Sequence, residues 1–181
     1  PPSLRLSFNL SANDINTSEG MEQIVQVIRS SGFNPARLDL EITETAVLQD
    51  LEKSRQLVTT LRQLGCGITL DDFGTGYASL SHLHALPLTR IKIDKSFVAD
   101  IEHNAVSHKI VKSLLALTHD MQLACVVEGV ETPAHLQSLR GLGAMYGQGY
   151  LFAVPLAADQ VQPWLQSRQT AVLQPGLPLR G

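Results

Sequence analysis

Two adjacent aspartates, Asp71 and Asp72, follow the apolar run Ile68-Thr69-Leu70 and lead into Phe73-Gly74-Thr75-Gly76. Carboxylates this close repel, and each disfavours the other's ionisation unless a cation sits nearby. A divalent metal is the simplest supplier of that charge. The alternative is a loop in which the aspartates cap the following helix and the glycines make a tight turn; the motif alone leaves both open. Further oxygen donors stand at comparable places. Glu41 and Glu128 lie at the ends of other apolar runs, and Asn9 and Gln148 add neutral oxygens. Hard oxygen donors without cysteine or paired histidine favour Mg²⁺ or Mn²⁺ over zinc. Two such ions about 3.5 to 4 Å apart can activate a water and stabilise the oxygens of an in-line phosphoryl displacement. Lys92, in the alternating run Ile91-Lys92-Ile93, offers a point positive charge. It could hold the attacking water or neutralise charge developing on phosphate oxygens, or be an ordinary exposed lysine.

Glu44 and Glu131 come three residues after Glu41 and Glu128. They read either as helix-start acids that compensate the dipole or as supports that fix a loop. Asp94 is either a hydrogen-bond partner behind the site or a cap for Lys95-Ser96-Phe97. His82 and His84 are two apart, which splays them on a helix, so surface or packing roles suit them better than metal binding. Trp164 reads as a core anchor.

The elements that must position these residues alternate. Leu4 to Leu10 has the pattern of a strand, and Gly20 to Arg29 carries Met21, Ile24, Val25 and Ile28 at helical spacing. The pairing recurs as Leu38 to Ile42 with Leu51 to Leu64, Ile68 to Leu70 with a short helix near Ser79 to Leu83, and Ile91 to Ile93 with Val106 to Leu117. Leu123 to Val127 with Pro133 to Leu142, and Ala144 to Tyr146 with Ala157 to Gln166, complete it. Such βα alternation favours a parallel α/β sheet. An open doubly wound sheet gathers only the strands at its switch point, whereas a barrel brings every strand's C-terminal end to one rim. Because six successive strand ends carry polar residues, we expect a TIM-barrel-like (β/α)8 fold. A complete barrel typically needs about 250 residues, and about six units are legible here. The expectation is therefore a partial domain over 1–166, lacking the first strands, with a poorly ordered tail over 167–181 around Pro175, Gly176 and Pro178.

Across 181 residues, 14 basic and 17 acidic side chains give a net charge of −3, without a basic stripe that could track a phosphate backbone. Duplex nucleic acid is thus not an expected partner. No apolar stretch reaches the ~20 residues of a spanning helix and no signal peptide is legible. Membrane contact from this segment is not expected, although a parent protein could be anchored elsewhere. Cys66 and Cys125 lack a CxxC partner and read as reduced, buried thiols of a cytoplasmic protein.

Taken together, Phe8-Asn9-Leu10-Ser11-Ala12, Glu41-Ile42-Thr43-Glu44-Thr45, Asp71-Asp72-Phe73-Gly74-Thr75-Gly76, Ile91-Lys92-Ile93-Asp94, Glu128-Gly129-Val130-Glu131-Thr132 and Gln148-Gly149-Tyr150-Leu151-Phe152 resemble the EAL-domain phosphodiesterases of cyclic di-GMP. The resemblance implies bacterial second-messenger signalling, in which cyclic di-GMP is linearised to pGpG with Mg²⁺ or Mn²⁺, two ions in the complete domain. By position, Asn9, Glu41, Asp71 and Glu128 look like metal ligands and Asp72 like the ligand of the second metal. Lys92 is similar to the lysine that positions the nucleophilic water, and Gln148 to the glutamine near it. Glu44 resembles the glutamate that steadies the Asp71 to Leu80 loop, which in the family also contributes to dimer contacts. A homodimer or an edge-paired oligomer is accordingly expected.

Two departures stand out. Met145 occupies a place where the family often has aspartate, and no Glu-Ala-Leu tripeptide occurs in these residues. In the family that motif lies on an early strand, where its glutamate binds metal and a nearby arginine helps hold substrate phosphate. A truncated chain inactive alone is one consequence. A non-catalytic cyclic di-GMP-binding or protein-interaction module is the competing reading. Proton abstraction in an enolase-like site also suits a lysine with acids, but matches the paired aspartates and their glycine loop less well.

Overall fold

The computed structural model describes residues 4–76 and 80–171. They form two compact units. The first takes in the described chain up to Asp94 and returns for Ala116–Cys125; the second takes in Lys95–Leu115 and what is described from Val126 onward.

In the first unit the expected alternation is present with additional helices. Its elements are β1 (Leu6–Leu10), α1 (Ala12–Asn16), α2 (Ser18–Ser30), β2 (Leu38–Thr43), α3 (Glu44–Gln49), α4 (Leu51–Gln63), β3 (Gly67–Phe73), α5 (Leu80–Ala85) and β4 (Arg90–Ile93). The strands β1 to β4 pair in parallel in chain order. β1 begins at Leu6 rather than Leu4, because the Leu4 carbonyl accepts from Arg37 Nε at 2.8 Å and is taken out of the ladder. Helices α1 and α3 escape the apolar periodicity because each is barely more than one turn. Their starts are nonetheless fixed locally. Ser11 and Asp14 form a reciprocal capping box on α1, and the Thr43 hydroxyl accepts from Ala46 N at the head of α3. For α5, Ser79 lies outside the described residues, as does part of the Asp71 to Leu80 loop.

Strand alternation gives this sheet one apolar and one polar face. Leu40, Ile42, Ile68, Leu70, Ile91 and Ile93 are fully or almost fully buried, as are Val47 of α3 and Leu57, Val58 and Leu61 of α4, and α4 contacts β3. The other face carries charge at both ends. At the strand starts, Asp39 accepts from Arg5 Nε at 2.5 Å and Nη2 at 2.7 Å, and from Arg90 Nη1 at 3.0 Å. The Asp39 side chain is 2% exposed, those of Arg5 and Arg90 40% and 29%. Gly67, the neighbour of Asp39 in register, leaves room for this carboxylate, since a Cβ there would strike Asp39 Oδ1. Burial pushes the Asp39 carboxyl up, but its bonds to Arg5 and Arg90 outweigh that and hold it below the ordinary carboxylate value. The hydrogen bond to Asp39 in turn raises the Arg5 guanidinium.

The remaining elements run on as α6 (Ala105–Asp120), β5 (Ala124–Val127), α7 (Pro133–Gly141), β6 (Tyr146–Gly147) and α8 (Ala158–Ala171). Ala124, in the first unit, donates its N–H to Thr89 O at 3.1 Å. Within the second unit, Val126 and Val127 pair in parallel with Tyr146 and Gly147. The last strand starts later than the expected Ala144, because Ala144 N closes the end of α7 on Leu139 O at 3.0 Å. Helix α8 passes Gln166, with Pro163 inside it, and runs to Ala171; the expected tail beyond that lies outside the described residues. Trp164 is half-buried rather than a core anchor. Both cysteines are free and buried, and burial pushes the Cys125 thiol up to about 11. Among the described residues no helix is long and apolar enough to cross a membrane.

Asp39→Asn tests the charged layer at the strand starts. Loss of its charge-assisted bonds should cost about 1.5 to 3 kcal/mol near neutral pH, toward the low end because Arg5 is partly exposed. With the folded-state value depressed, the stabilisation is present above the ordinary carboxylate range near 4 and is lost as pH falls through the lower folded value. Urea unfolding from pH 6 down to pH 3 should therefore show the gap between wild type and variant narrowing toward acid.

Candidate metal and phosphoryl-transfer site

The C-terminal ends of β2, β3 and β4 place Glu41, Asp71 and Lys92 on the polar face, two residues on from Asp39, Thr69 and Arg90. Lys92 Nζ lies 3.0 Å from Glu41 Oε2 and 3.1 Å from Asp71 Oδ1. The three side chains are 7%, 11% and 15% exposed. Lys92 is thus not an ordinary surface lysine, and a single cationic nitrogen is the meeting point of two carboxylates from neighbouring strands. Asn9, beside Glu41 in the β1–β2 register, ends the row on β1 and is exposed.

Asp72 reaches this site by breaking a rule. In a regular strand Asp71 and Asp72 would project to opposite faces. Between Leu70 and Phe73, however, the pairing with β4 shifts register, Leu70 facing Ile91 and Phe73 facing Ile93, so β3 carries an extra residue. Asp72 takes the left-handed conformation, φ 55°, and its N–H donates to Asp71 Oδ1 at 3.1 Å. An oxygen of each aspartate lies within 4.8 Å of the other. The bulge turns two consecutive acids into neighbours. The two aspartates thus end a strand, with Asp71 beside the lysine and Asp72 beside Asp71.

The turn that follows is closed on itself and on Glu44. Thr75 donates to Asp72 O through its N–H at 3.3 Å and its hydroxyl at 2.8 Å. Glu44, 3% exposed at the start of α3, accepts from Gly74 N at 3.4 Å. Gly74 has φ 99°, which favours glycine, and a Cβ on Gly76 would come within 2.6 Å of Glu44 Oε1, so a side chain there would have to displace the Glu44 carboxylate. The cap of α3 is Thr43. Asp94 is half-buried directly after β4, ahead of a 3₁₀ turn over Lys95–Phe97.

In the second unit, Glu128 opens the connection from β5 to α7, half-buried, and Glu131 is exposed at its end. Gln148, also exposed, follows β6 and is tied to this connection through backbone: its N–H donates to Val127 O at 2.9 Å, and its carbonyl accepts from Val130 N at 3.0 Å. Leu151 N donates to Val130 O at 3.0 Å. A Cβ on Gly149 would strike the Val130 backbone, and one on Gly129, at φ 70°, would strike Lys95. Thr132 rather than Glu131 caps α7.

The donor set fits a divalent cation, because Glu41 and Asp71 already converge on one positive centre and every group there is a hard oxygen donor or the lysine. Two features were not anticipated. The Asp39 layer could have been found from Asp39 and Arg90 standing two residues before Glu41 and Lys92 on their strands, and His135, described below, carried no spacing signal.

The EAL domain profile matches residues 1–155. The chain is 34% identical over 163 residues to the cyclic di-GMP phosphodiesterase PA2567 of Pseudomonas aeruginosa, which covers 90% of this chain but only 28% of that protein. It superposes on the EAL domain of Mycobacterium smegmatis DcpA with a TM-score of 0.83 at 36% identity, covering 90% of this chain and 73% of that one. Klebsiella pneumoniae BlrP1, solved in complex with manganese and cyclic di-GMP and also with calcium and cyclic di-GMP, aligns with a TM-score of 0.76 at 30% identity, over 84% of this chain and 39% of that one in the manganese complex at pH 6. Its α/β fold is theirs, and the chain belongs to the EAL domain family.

Proposed function

We propose that the chain carries catalytic machinery of a cytoplasmic, metal-dependent phosphodiesterase that opens cyclic di-GMP to pGpG. One observation carries this reading: Lys92 Nζ sits between Glu41 and Asp71 on adjoining strand ends, with the bulged Asp72 alongside. The names of PA2567 and of the BlrP1 complexes supply the substrate and the class of ion.

Asn9, Glu41, Asp71, Asp72 and Glu128 would hold two Mg²⁺ or Mn²⁺ ions. Bound there, the ions would lower the pKa of a water and offset charge on the phosphate oxygens. The reaction adds water across one phosphodiester: a P–O bond forms from the water oxygen, the P–O3′ bond breaks, and the departing 3′ oxygen takes a proton. Lys92 holds the attacking oxygen in place, and its ammonium holds the Glu41 and Asp71 carboxylates together. Gln148 hydrogen-bonds near the same water. Glu44 steadies the turn after Asp72, a segment proposed also to meet a second copy of the chain. Asp94 and Glu131 support Lys92 and Glu128 from just beyond them.

The protein in its full length should convert cyclic di-GMP to pGpG by chromatographic assay with Mn²⁺ or Mg²⁺, and lose that activity with EDTA. Lys92→Met should lower kcat by about 10²-fold or more while cyclic di-GMP still binds. A full-length protein that binds the dinucleotide with these ions and never opens it would instead support a binding module.

Glu44→Ala removes the acceptor for Gly74 N and opens space beside Gly76. We expect kcat to fall about tenfold or more and Glu44→Gln, which keeps an acceptor oxygen, to lose less. Steady-state kinetics with both variants checks this.

A further inference from the structure

His135 is a buried side chain that none of the roles above uses. It lies in the first turns of α7, 8% exposed, with one ring nitrogen toward the connection from β5 and the other toward Glu102. Glu131 N donates to His135 Nδ1 at 3.4 Å, so Nδ1 is the acceptor and the neutral ring carries its proton on Nε2. Nε2 lies 3.6 Å from Glu102 Oε1. The same Glu102 oxygen accepts from the Thr132 hydroxyl at 3.3 Å, and that hydroxyl oxygen accepts from His135 N at 3.0 Å. Glu131, Thr132, His135 and Glu102 thus close a ring of polar contacts. It pins the far end of the segment that begins at Glu128, while Gln148 and Leu151 pin the middle through Val130.

We infer that His135, oriented by Glu102, is a positioning residue that fixes the Glu128–Glu131 segment and thereby presents Glu128 to a divalent ion. This rests on the proposed role of Glu128 as a ligand. Hydrogen bonds behind the ligands of a metal site hold those ligands in place, and removing such an outer partner typically costs 10 to 100-fold in affinity. An amide can replace the ring here, its oxygen accepting from Glu131 N and its NH₂ facing Glu102. A leucine of similar bulk can do neither.

The test uses the full-length protein with His135→Leu, His135→Gln and Leu139→Ala, the last a buried apolar residue of the same helix, 3% exposed. In metal-free protein, hydrogen exchange at the Glu131 amide should speed up about fivefold or more in His135→Leu and return toward wild type in His135→Gln. Mn²⁺ affinity by titration calorimetry should weaken about tenfold in His135→Leu, recover in His135→Gln and stay within twofold in Leu139→Ala although that variant melts lower. Unchanged exchange in His135→Leu, Mn²⁺ affinity equal to wild type in that variant, or equal loss in Leu139→Ala overturns the inference. If wild type binds no Mn²⁺, the metal reading of Glu128 fails, and the exchange result still decides whether His135 holds the segment.

Discussion

The first unit depends on putting charge on a sheet face that is largely shielded from water. An isolated buried ion is expensive, so each charge on that face needs a counter-charge at the same height, from the next strand or the one beyond it. Strand geometry sets where those can be. Side chains on one face recur every second residue, about 6.6 Å along the strand. Asp39 and Arg90 with Arg5 therefore form one layer, and Glu41, Asp71 and Lys92 the next. The layers have opposite sense. The lower one is an acid held by two arginines, the upper one a lysine held by two acids.

That reversal separates structure from chemistry. Two arginines against one aspartate make a clamp with no need of further cations, tying the starts of β1, β2 and β4 together. One lysine against Glu41 and Asp71, with Asp72 close by, leaves acidic charge in excess at the strand ends. A lysine, unlike an arginine, offers a compact charge on a flexible stem, able to hold two carboxylates together. The left-handed Asp72 and the register shift beside it are local strain of the kind that collects at functional sites. Here the strain has a visible product: two successive acids brought within reach of one centre.

Much of this was legible in the sequence. Among the described residues, five of the six strands lie within two residues of where apolar alternation put them, β3 alone running three residues past Leu70 through its bulge, and Glu41, Asp71 and Lys92 meet as their strand-end positions required. Other features were hidden for physical reasons. A bulge leaves no mark in hydrophobic period, so Asp72 was readable as a site residue only by motif. Helices α1 and α3 are too short for a period, and only Ser11, Asp14 and Thr43 mark them. The Arg5–Asp39–Arg90 clamp joins residues far apart in sequence, and the His135 ring depends on Glu102, whose place no local pattern indicates. The final strand slipped because the end of α7 claimed Ala144 for its own closure.

The most direct measurement is Mn²⁺ uptake by the full-length protein, followed as loss of the free-ion electron paramagnetic resonance signal, in wild type and in the doubly substituted Glu41→Gln, Asp71→Asn protein. If the strand-end acids form a divalent-ion site, wild type should sequester Mn²⁺ and the double variant, still folded, should leave it free. Equal uptake by the two folded proteins, or none by wild type, would contradict that account.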